Sequence, residues 1–302
     1  MNIIKRKNIF LTIFIAVVII GTVLLFVYKP IFGIDFTGGG LVEIMPAENI
    51  DISKVREEAN KIYQDREIVV QSSGKNQYIL RAKIQEGEFN TFKSKISEYF
   101  PEANILRHEN IGATVGKNLT QKAIYGVILA CILIIIYLAY AFKSVPGSIS
   151  SWTFGVIAIL ALIHDLIFTL ASYSIIGRFA GFEFEGIVIV AILTILGFSV
   201  HDTIVVFDRI RENVIKHPQL RIGENVNNSI NQTFSRSLNT SLTVIVILIS
   251  MYLLGGTTIR PFVLVLIIGI AIGTYSSIFI ASPLLIKYIE YTKGSRGRGE
   301  AI

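Results

Sequence analysis

Two aspartates stand in segments that are otherwise apolar, and they are the residues whose types and spacing bear most directly on chemistry. Asp202 lies in Gly197-Phe198-Ser199-Val200-His201-Asp202-Thr203, and Asp165 follows His164 in a long apolar run. An ionisable group at membrane depth costs roughly 2.5 to 3.5 kcal/mol on insertion scales, which makes each a functional hypothesis. Ser199, one helical turn before Asp202, shares its face and can hydrogen-bond the carboxyl. The expected partner is Arg236, from which Asn239, Thr240 and Thr243 continue a polar stripe at helical spacing. A carboxylate that exchanges a guanidinium for a proton is a two-state element, so protonation can repack helices. A static Asp202–Arg236 pair would instead fix the bundle, but Asn or Ser could do that at lower cost. Asp165 reads equally as a secondary relay or as a buried hydrogen-bonding group. His201 is about 100° around the helix from Asp202, and an imidazole is a side chain suited to proton transfer; a packed neutral histidine is the other reading.

These residues need a membrane around them, and the composition supplies one. Of 302 residues, 52% are hydrophobic and 17% charged, against roughly 25% charged in soluble chains. Residues 29–122 hold 13 basic and 13 acidic residues, 26 of the chain's 50 charges, so a polar domain sits inside a membrane protein. Six apolar segments, 8–27, 123–142, 149–176, 186–207, 238–254 and 262–286, approach or exceed the roughly 20 residues that span a bilayer. The first follows Lys5-Arg6-Lys7 and reads as an uncleaved signal anchor. With the N-terminus inside, 13 basic residues fall on the inner side and only Arg178 and Arg260 in the short outer loops. This positive-inside bias places both termini in the cytoplasm and residues 29–122 outside it. The net charge of +6 therefore reports topology, not a nucleic-acid footprint.

Within 29–122, strand-like segments at 41–45, 68–71, 78–84 and 104–107 alternate with amphipathic helices. Val55, Ala59 and Ile62 mark one helix behind a cap at Asp51 or Ser53; Phe89, Phe92, Ile96 and Phe100 mark the other. Ser73-Gly74-Lys75-Asn76 is a hairpin turn, and Gly38-Gly39-Gly40 a turn into the first strand. The order β-α-β-β-α-β is that of an α+β, ferredoxin-like domain, with His108 alone and no ligand cluster. The expected divisions are the first membrane helix at 1–28, the outer domain at 29–122, a five-helix membrane region at 123–288 with a cytoplasmic loop at 208–237, and a basic tail at 289–302. In that loop Ile222, Val226, Ile230 and Phe234 recur every four residues, which predicts a helix lying on the inner membrane surface. Gly269, Gly273, Ser277 and Ala281 put a small residue at every fourth position of the last span, allowing close helix approach. The one cysteine, Cys131, excludes a disulfide framework. Absence of GxxxxGK[ST] and HExxH removes a P-loop ATPase and the commonest membrane zinc protease, and no metal or organic cofactor is expected. An intramembrane aspartyl protease would need Asp165 and Asp202 to share a water, yet the sequence places them at different depths.

Gly33-Ile34-Asp35-Phe36-Thr37-Gly38-Gly39 and Ile111-Gly112-Ala113-Thr114-Val115-Gly116 flank the polar domain, and with His164-Asp165 their order resembles the SecF family, subunits of the SecDF accessory complex of bacterial protein export. The first resembles the family's G-[IL]-D-F-x-G-G and the second its I-G-P-x-V-G, with Ala113 in place of the proline. His164-Asp165 matches its H-D. The stretch from Val205 through Asp208 and Arg209 to Asn213 is close to its signature at the end of span 4, and the stretch from Ser235 to Ser241 to that opening span 5. The resemblance implies a polytopic α-helical membrane protein of the RND superfamily, half of a twelve-span bundle, in the bacterial cytoplasmic membrane. It implies use of a proton or sodium motive force to promote late steps of Sec-dependent export, with Asp202 and Arg236 serving ion transport. Its implied partners are SecD as the missing half, the SecYEG channel, YajC and the unfolded preprotein. The family usually has Asn where this chain has His201, which bears on the coupling ion. An RND-type exporter of small hydrophobic molecules or lipids is the alternative in the same superfamily.

Overall fold

The computed structural model describes residues 2–63, 66, 68–85, 87–143 and 150–296. Arg298 of the expected inner-side set, the end of the tail at 297–302 and the expected start of span 3 at 149 lie outside them. Six helices among the described residues are long and apolar enough to cross a membrane, with spans at Ile4–Val27, Ala113–Ala141, Ser151–Ala180, Gly186–Lys216, Ile222–Leu254 and Thr257–Thr292.

A 3₁₀ turn at Ile4–Arg6 leads into α1 (Lys7–Val27), and a short helix α2 (Ile34–Thr37) leads to the sheet domain. There the elements run β1 (Gly39–Met45), α3 (Ile52–Ile62), β2 (Ile68–Gly74), β3 (Gln77–Ala82), α4 (Phe89–Tyr99) and β4 (Asn104–Ile111). The sheet order is β2-β3-β1-β4 with every neighbouring pair antiparallel. Apolar alternation explains the layering: Val42, Ile44, Val70 and Leu80 of the sheet close a core with Val55, Ala59 and Ile62 of α3 and Phe92 and Ile96 of α4. Asp51 caps α3 by accepting from the Ser53 amide at 2.8 Å. The β2–β3 turn places Asn76 at φ 58°, a left-handed position that Asn tolerates.

The membrane part consists of α5 (Ala113–Ala141), α6 (Ser151–Ala180), α7 (Gly186–Lys216), α8 (Ile222–Leu254) and α9 (Arg260–Ser276), the last continued through one π-helical turn (Ser277–Ala281) into α10 (Ser282–Arg296). Helix α5 begins ten residues before the expected start of span 2, so 113–122 stand as a helical stalk beneath the sheet. The α6, α7 and α9 segments form the interior, while α1 and α5 are mostly exposed on the surface of the chain. Lys7 pairs with Glu290, and the Ile3 amide donates to Asn227 Oδ1 at 2.9 Å. These contacts bring the start of α1, the start of α8 and α10 to one end of the bundle.

One expectation is overturned here. The stretch marked by Ile222, Val226, Ile230 and Phe234 is not a separate surface helix but the first turns of α8, continuous with the span. Val226 and Ile230 are fully buried, packed in one cluster with Val206, Phe207 and Ile210 of α7 and with Leu285, Ile286 and Ile289 of α10. The four-residue period marks a face that meets protein instead of lipid. Asn213 of α7, donating to Ser229 and Gln232 of α8, ties the two helices into a hairpin beyond the bundle.

Candidate functional site

Asp165 on α6 is completely buried. Its Oδ2 accepts hydrogen bonds from Ser199 Oγ on α7 and Ser276 Oγ at the end of α9, both at 2.7 Å, and its Oδ1 lies 3.0 Å from Nδ1 of His164. The carboxyl thus joins three helices. Phe14 of α1 stacks on the His164 ring with centroids 5.5 Å apart, which brings the first span onto the same spot.

Asp202 on α7 is also buried, 2% exposed. Ser241 Oγ on α8 donates to its Oδ2 at 3.4 Å and also meets Thr274 Oγ1 of α9. The hydroxyls of Thr274 and Ser237 stand beside the carboxyl. Thr203 Oγ1 is 2.9 Å from Ser277 Oγ in the π-helical turn. Buried hydroxyls on three helices therefore surround both carboxyls, the usual way to satisfy polar groups inside a membrane bundle.

The stripe of small residues makes this approach possible. A Cβ on Gly269 would lie 2.2 Å from Ile195, and one on Gly273 would lie 2.9 Å from the Ser199 Cβ. With Thr203 against Ser277, positions 195, 199 and 203 of α7 run in register with 269, 273 and 277. The seam is built by the i, i+4 rows of both helices.

Two sequence expectations are corrected. Ser199 serves Asp165, not Asp202, because α9 presents Ser276 to the same carboxylate oxygen and draws the Ser199 face toward α6. Arg236 makes no ion pair with Asp202 among the described residues; its side chain is exposed. The buried face of α8 that meets Asp202 carries Ser237 and Ser241, spaced by four, and Arg236 is one residue and about 100° off that face. His201 is likewise exposed, on the surface of α7. Sequence reasoning gave no role to Ser237, Ser241, Thr274 or Ser276; the i, i+4 pair of serines on α8 was the available signal.

The Gly33–Gly39 motif forms a second site, where the sheet domain meets the membrane helices. Asp35 Oδ2 accepts from the Gly186 amide at 2.6 Å, capping the start of α7. The Gly33 amide donates to the Phe184 carbonyl and the Phe184 amide to the Ile31 carbonyl, making a parallel bridge between 32 and 184. Gly38, at φ 72°, turns the chain against Ala113, and a Cβ on Gly116 would sit 2.8 Å from the Phe36 carbonyl. The two glycine motifs are thus the two halves of one close contact. Beside it, Arg81 of β3 is 6% exposed; its Nη1 and Nη2 lie 3.5 and 2.5 Å from Glu183 and Glu185, and Nη1 donates to Gln71 at 2.9 Å. Burial pushes both glutamate carboxyls above the usual range, and Arg81 opposes the rise in each. No group of three or more His, Cys, Asp or Glu side chains that could hold a metal occurs among the described residues. Asp208 and Arg209 lie on the C-terminal part of α7, where Arg209 bonds Gln232 at 2.6 Å and pairs with Glu212.

Six apolar helices, buried carboxyls in hydroxyl cages and an α+β domain inserted after the first helix define a polytopic membrane protein with a polar interior. The family model for "Protein export membrane protein SecD/SecF, C-terminal" matches residues 91–291. The chain is 36% identical to the protein translocase subunit SecF of Thermobaculum terrenum over 95% of its own length and 93% of that protein. It is 34% identical to SecF of Anaerolinea thermophila with the same coverage. The crystal structure of SecDF from Thermus thermophilus superposes with a TM-score of 0.82 at 30% identity over 96% of this chain, which spans 39% of that one. SecDF in a super-membrane-facing form gives 0.71 over 98% of this chain, which spans 40% of that one. The chain belongs to the SecF family of protein translocase subunits, membrane proteins with an accessory role in protein export.

Proposed function

We propose that this chain is one half of an RND-type bundle in which a coupling ion, H+ or Na+, passes Asp202 and drives the late steps of Sec-dependent export. Asp202 carries the reading. It is a carboxyl buried in a membrane span and flanked by hydroxyls on two other helices, where no buried cation is paired with it among the described residues. Such a group costs stability and gains its purpose from changing protonation or ion occupancy. Arg236, Asn239, Thr240 and Thr243 on α8 and His201 on α7 are exposed within spans. Polar groups at that depth call for a covering protein surface, which fits the missing six-helix half, SecD. In the assembled complex Arg236 reaches the ion path from that seam, and Asp165, held by Ser199, Ser276 and His164, is the secondary relay or the fixed anchor of the bundle.

The positive-inside bias puts the N- and C-termini in the cytoplasm of a bacterium and the β-α-β-β-α-β domain, with its ferredoxin-like strand order, on the outer face. There it binds or pulls the unfolded preprotein leaving the SecYEG channel, with YajC as a further neighbour. The deciding measurement is export in proteoliposomes or inverted vesicles with the H+ and Na+ gradients collapsed separately. Asp202→Asn abolishes ion-driven export while assembly with SecD persists; normal export by that variant removes Asp202 from the path.

A further inference from the structure

The peptide between α6 and α7, residues 182–186, is wedged between the sheet domain and the bundle. Its Phe184 amide donates to the Ile31 carbonyl and its Phe184 carbonyl accepts from the Gly33 amide, its Glu183 carbonyl accepts from the Tyr173 hydroxyl at 2.7 Å, and its last amide is capped by Asp35. Its two glutamates close on one guanidinium from the sheet, that of Arg81. We infer that Arg81 is the coupling residue of the molecule: its clamp on Glu183 and Glu185 makes α7 the rod that carries events at Asp202 to the outer domain.

The geometry supports this route over the others. Asp202 lies sixteen residues beyond Gly186 on the same uninterrupted helix, about 24 Å at 1.5 Å per residue, and no proline breaks that stretch. The two covalent links, through α1 and α5, join the domain to helices that are mostly exposed and that carry neither buried carboxyl. The contact of Thr257 with the Ser73 carbonyl reaches the 3₁₀ turn that leads into α9 and is a single hydrogen bond without an ion pair. The Arg81 clamp joins β3, a central strand of the sheet, to the end of the helix that carries the ion-path carboxyl. Arg81 is also held on its own side by Gln71 of β2, so a push on the glutamates moves the sheet and not only the side chain. Two carboxylates sharing one buried guanidinium give the contact alternative pairings, which suits a joint that transmits displacement without parting.

The inference rests on the ion-driven reading above, and the test separates the two. Complexes reconstituted with SecD are measured for ion flux and for gradient-driven export, with Arg81→Gln, Glu183→Gln/Glu185→Gln and Asp202→Asn in parallel. Arg81→Gln lowers export several-fold while ion flux stays at the parental level, and the double glutamate variant reproduces that split from the membrane side. The charge-swapped pair Arg81→Glu/Glu185→Arg recovers export. Parental export by Arg81→Gln overturns the coupling role, as does equal loss of flux and export in both clamp variants, which would make the contact merely structural. Gradient-driven export at the parental level by Asp202→Asn defeats the underlying reading, whatever the clamp variants do.

Discussion

Ser199 gives its hydroxyl hydrogen to Asp165 on the neighbouring helix at 2.7 Å, although Asp202 stands only three residues ahead of it on α7. The two carboxyls therefore divide the buried hydroxyls between them. Ser199 and Ser276 hold Asp165, while Ser241 holds Asp202. Ser199→Ala is expected to lower stability by about 1 to 2 kcal/mol, the usual loss for a buried hydrogen bond to a polar partner. In an Asp165→Asn background the same change should cost measurably less, and in an Asp202→Asn background the same as in the parent. Thermal unfolding of the purified protein across this double-mutant cycle checks the assignment; coupling of more than about 0.5 kcal/mol between 199 and 202 would reverse it.

Most of the architecture was legible from apolar runs and their periods, because a span of about 20 apolar residues or a β-α-β-β-α-β alternation leaves a local mark in the chain. Partner choice inside the bundle was not. A four-residue recurrence at Val226 and Ile230 has the same form whether it meets lipid or the α7 face, and Ser199 shares a helical face with Asp202 whichever carboxyl it serves. Both outcomes depend on how α6, α8 and α9 pack around α7, which is a long-range property. Arg236 was misplaced for a similar reason: the polar stripe on α8 is wider than one face, and only packing shows that Ser237 and Ser241 occupy the inner part of it. Asp35 stood out in the sequence only as part of a family motif, since its capping partner Gly186 is 151 residues away.

The α7–α9 seam makes a prediction of its own. Gly269→Ala places a methyl 2.2 Å from Ile195 Cδ1, an overpacking expected to cost about 1 to 3 kcal/mol. Gly126, on the open side of α5 with nothing within 4 Å of a Cβ, is the matched control. Gly126→Ala should be neutral or stabilising by up to about 1 kcal/mol through helix propensity. Midpoints of thermal unfolding for the two variants should move in opposite directions or differ clearly.

The Arg81 clamp predicts a pH dependence of domain docking. Burial holds the Glu183 and Glu185 carboxyls above the ordinary glutamate range in the docked state. Docking therefore binds protons, and its stabilising effect is complete below the ordinary glutamate pKa of about 4.3. That contribution fades as pH rises through the raised values. One proton on the pair relieves carboxylate repulsion and still leaves an ionised partner for Arg81. Stepping the pH down from 7 toward 5 should accordingly slow proteolysis at the Ser73–Asn76 turn, which lies beside the docked face. Glu183→Gln/Glu185→Gln should flatten that response, and a response that grows steeper or changes sign would contradict it.

Arg236 supplies the sharpest separation between fold and assembly. Its guanidinium is exposed in this chain and pairs with no carboxylate among the described residues, so removing it takes no internal contact from the bundle. Arg236→Ala should shift the thermal stability of the isolated chain by less than about 0.5 kcal/mol, as for a surface substitution. On the proposed reading the same side chain meets the covering half where α8 enters the membrane, and an unpaired charge would be expensive there. It is therefore expected to meet a carboxylate or a carbonyl there. Arg236→Ala should then depress gradient-driven export sharply while Arg236→Lys retains part of it, because the charge remains and only the bidentate fork is lost. The alanine substitution should thus leave the unfolding midpoint of the isolated chain almost unchanged while export with SecD falls. A large loss of stability in the isolated chain would mean that Arg236 is held internally after all.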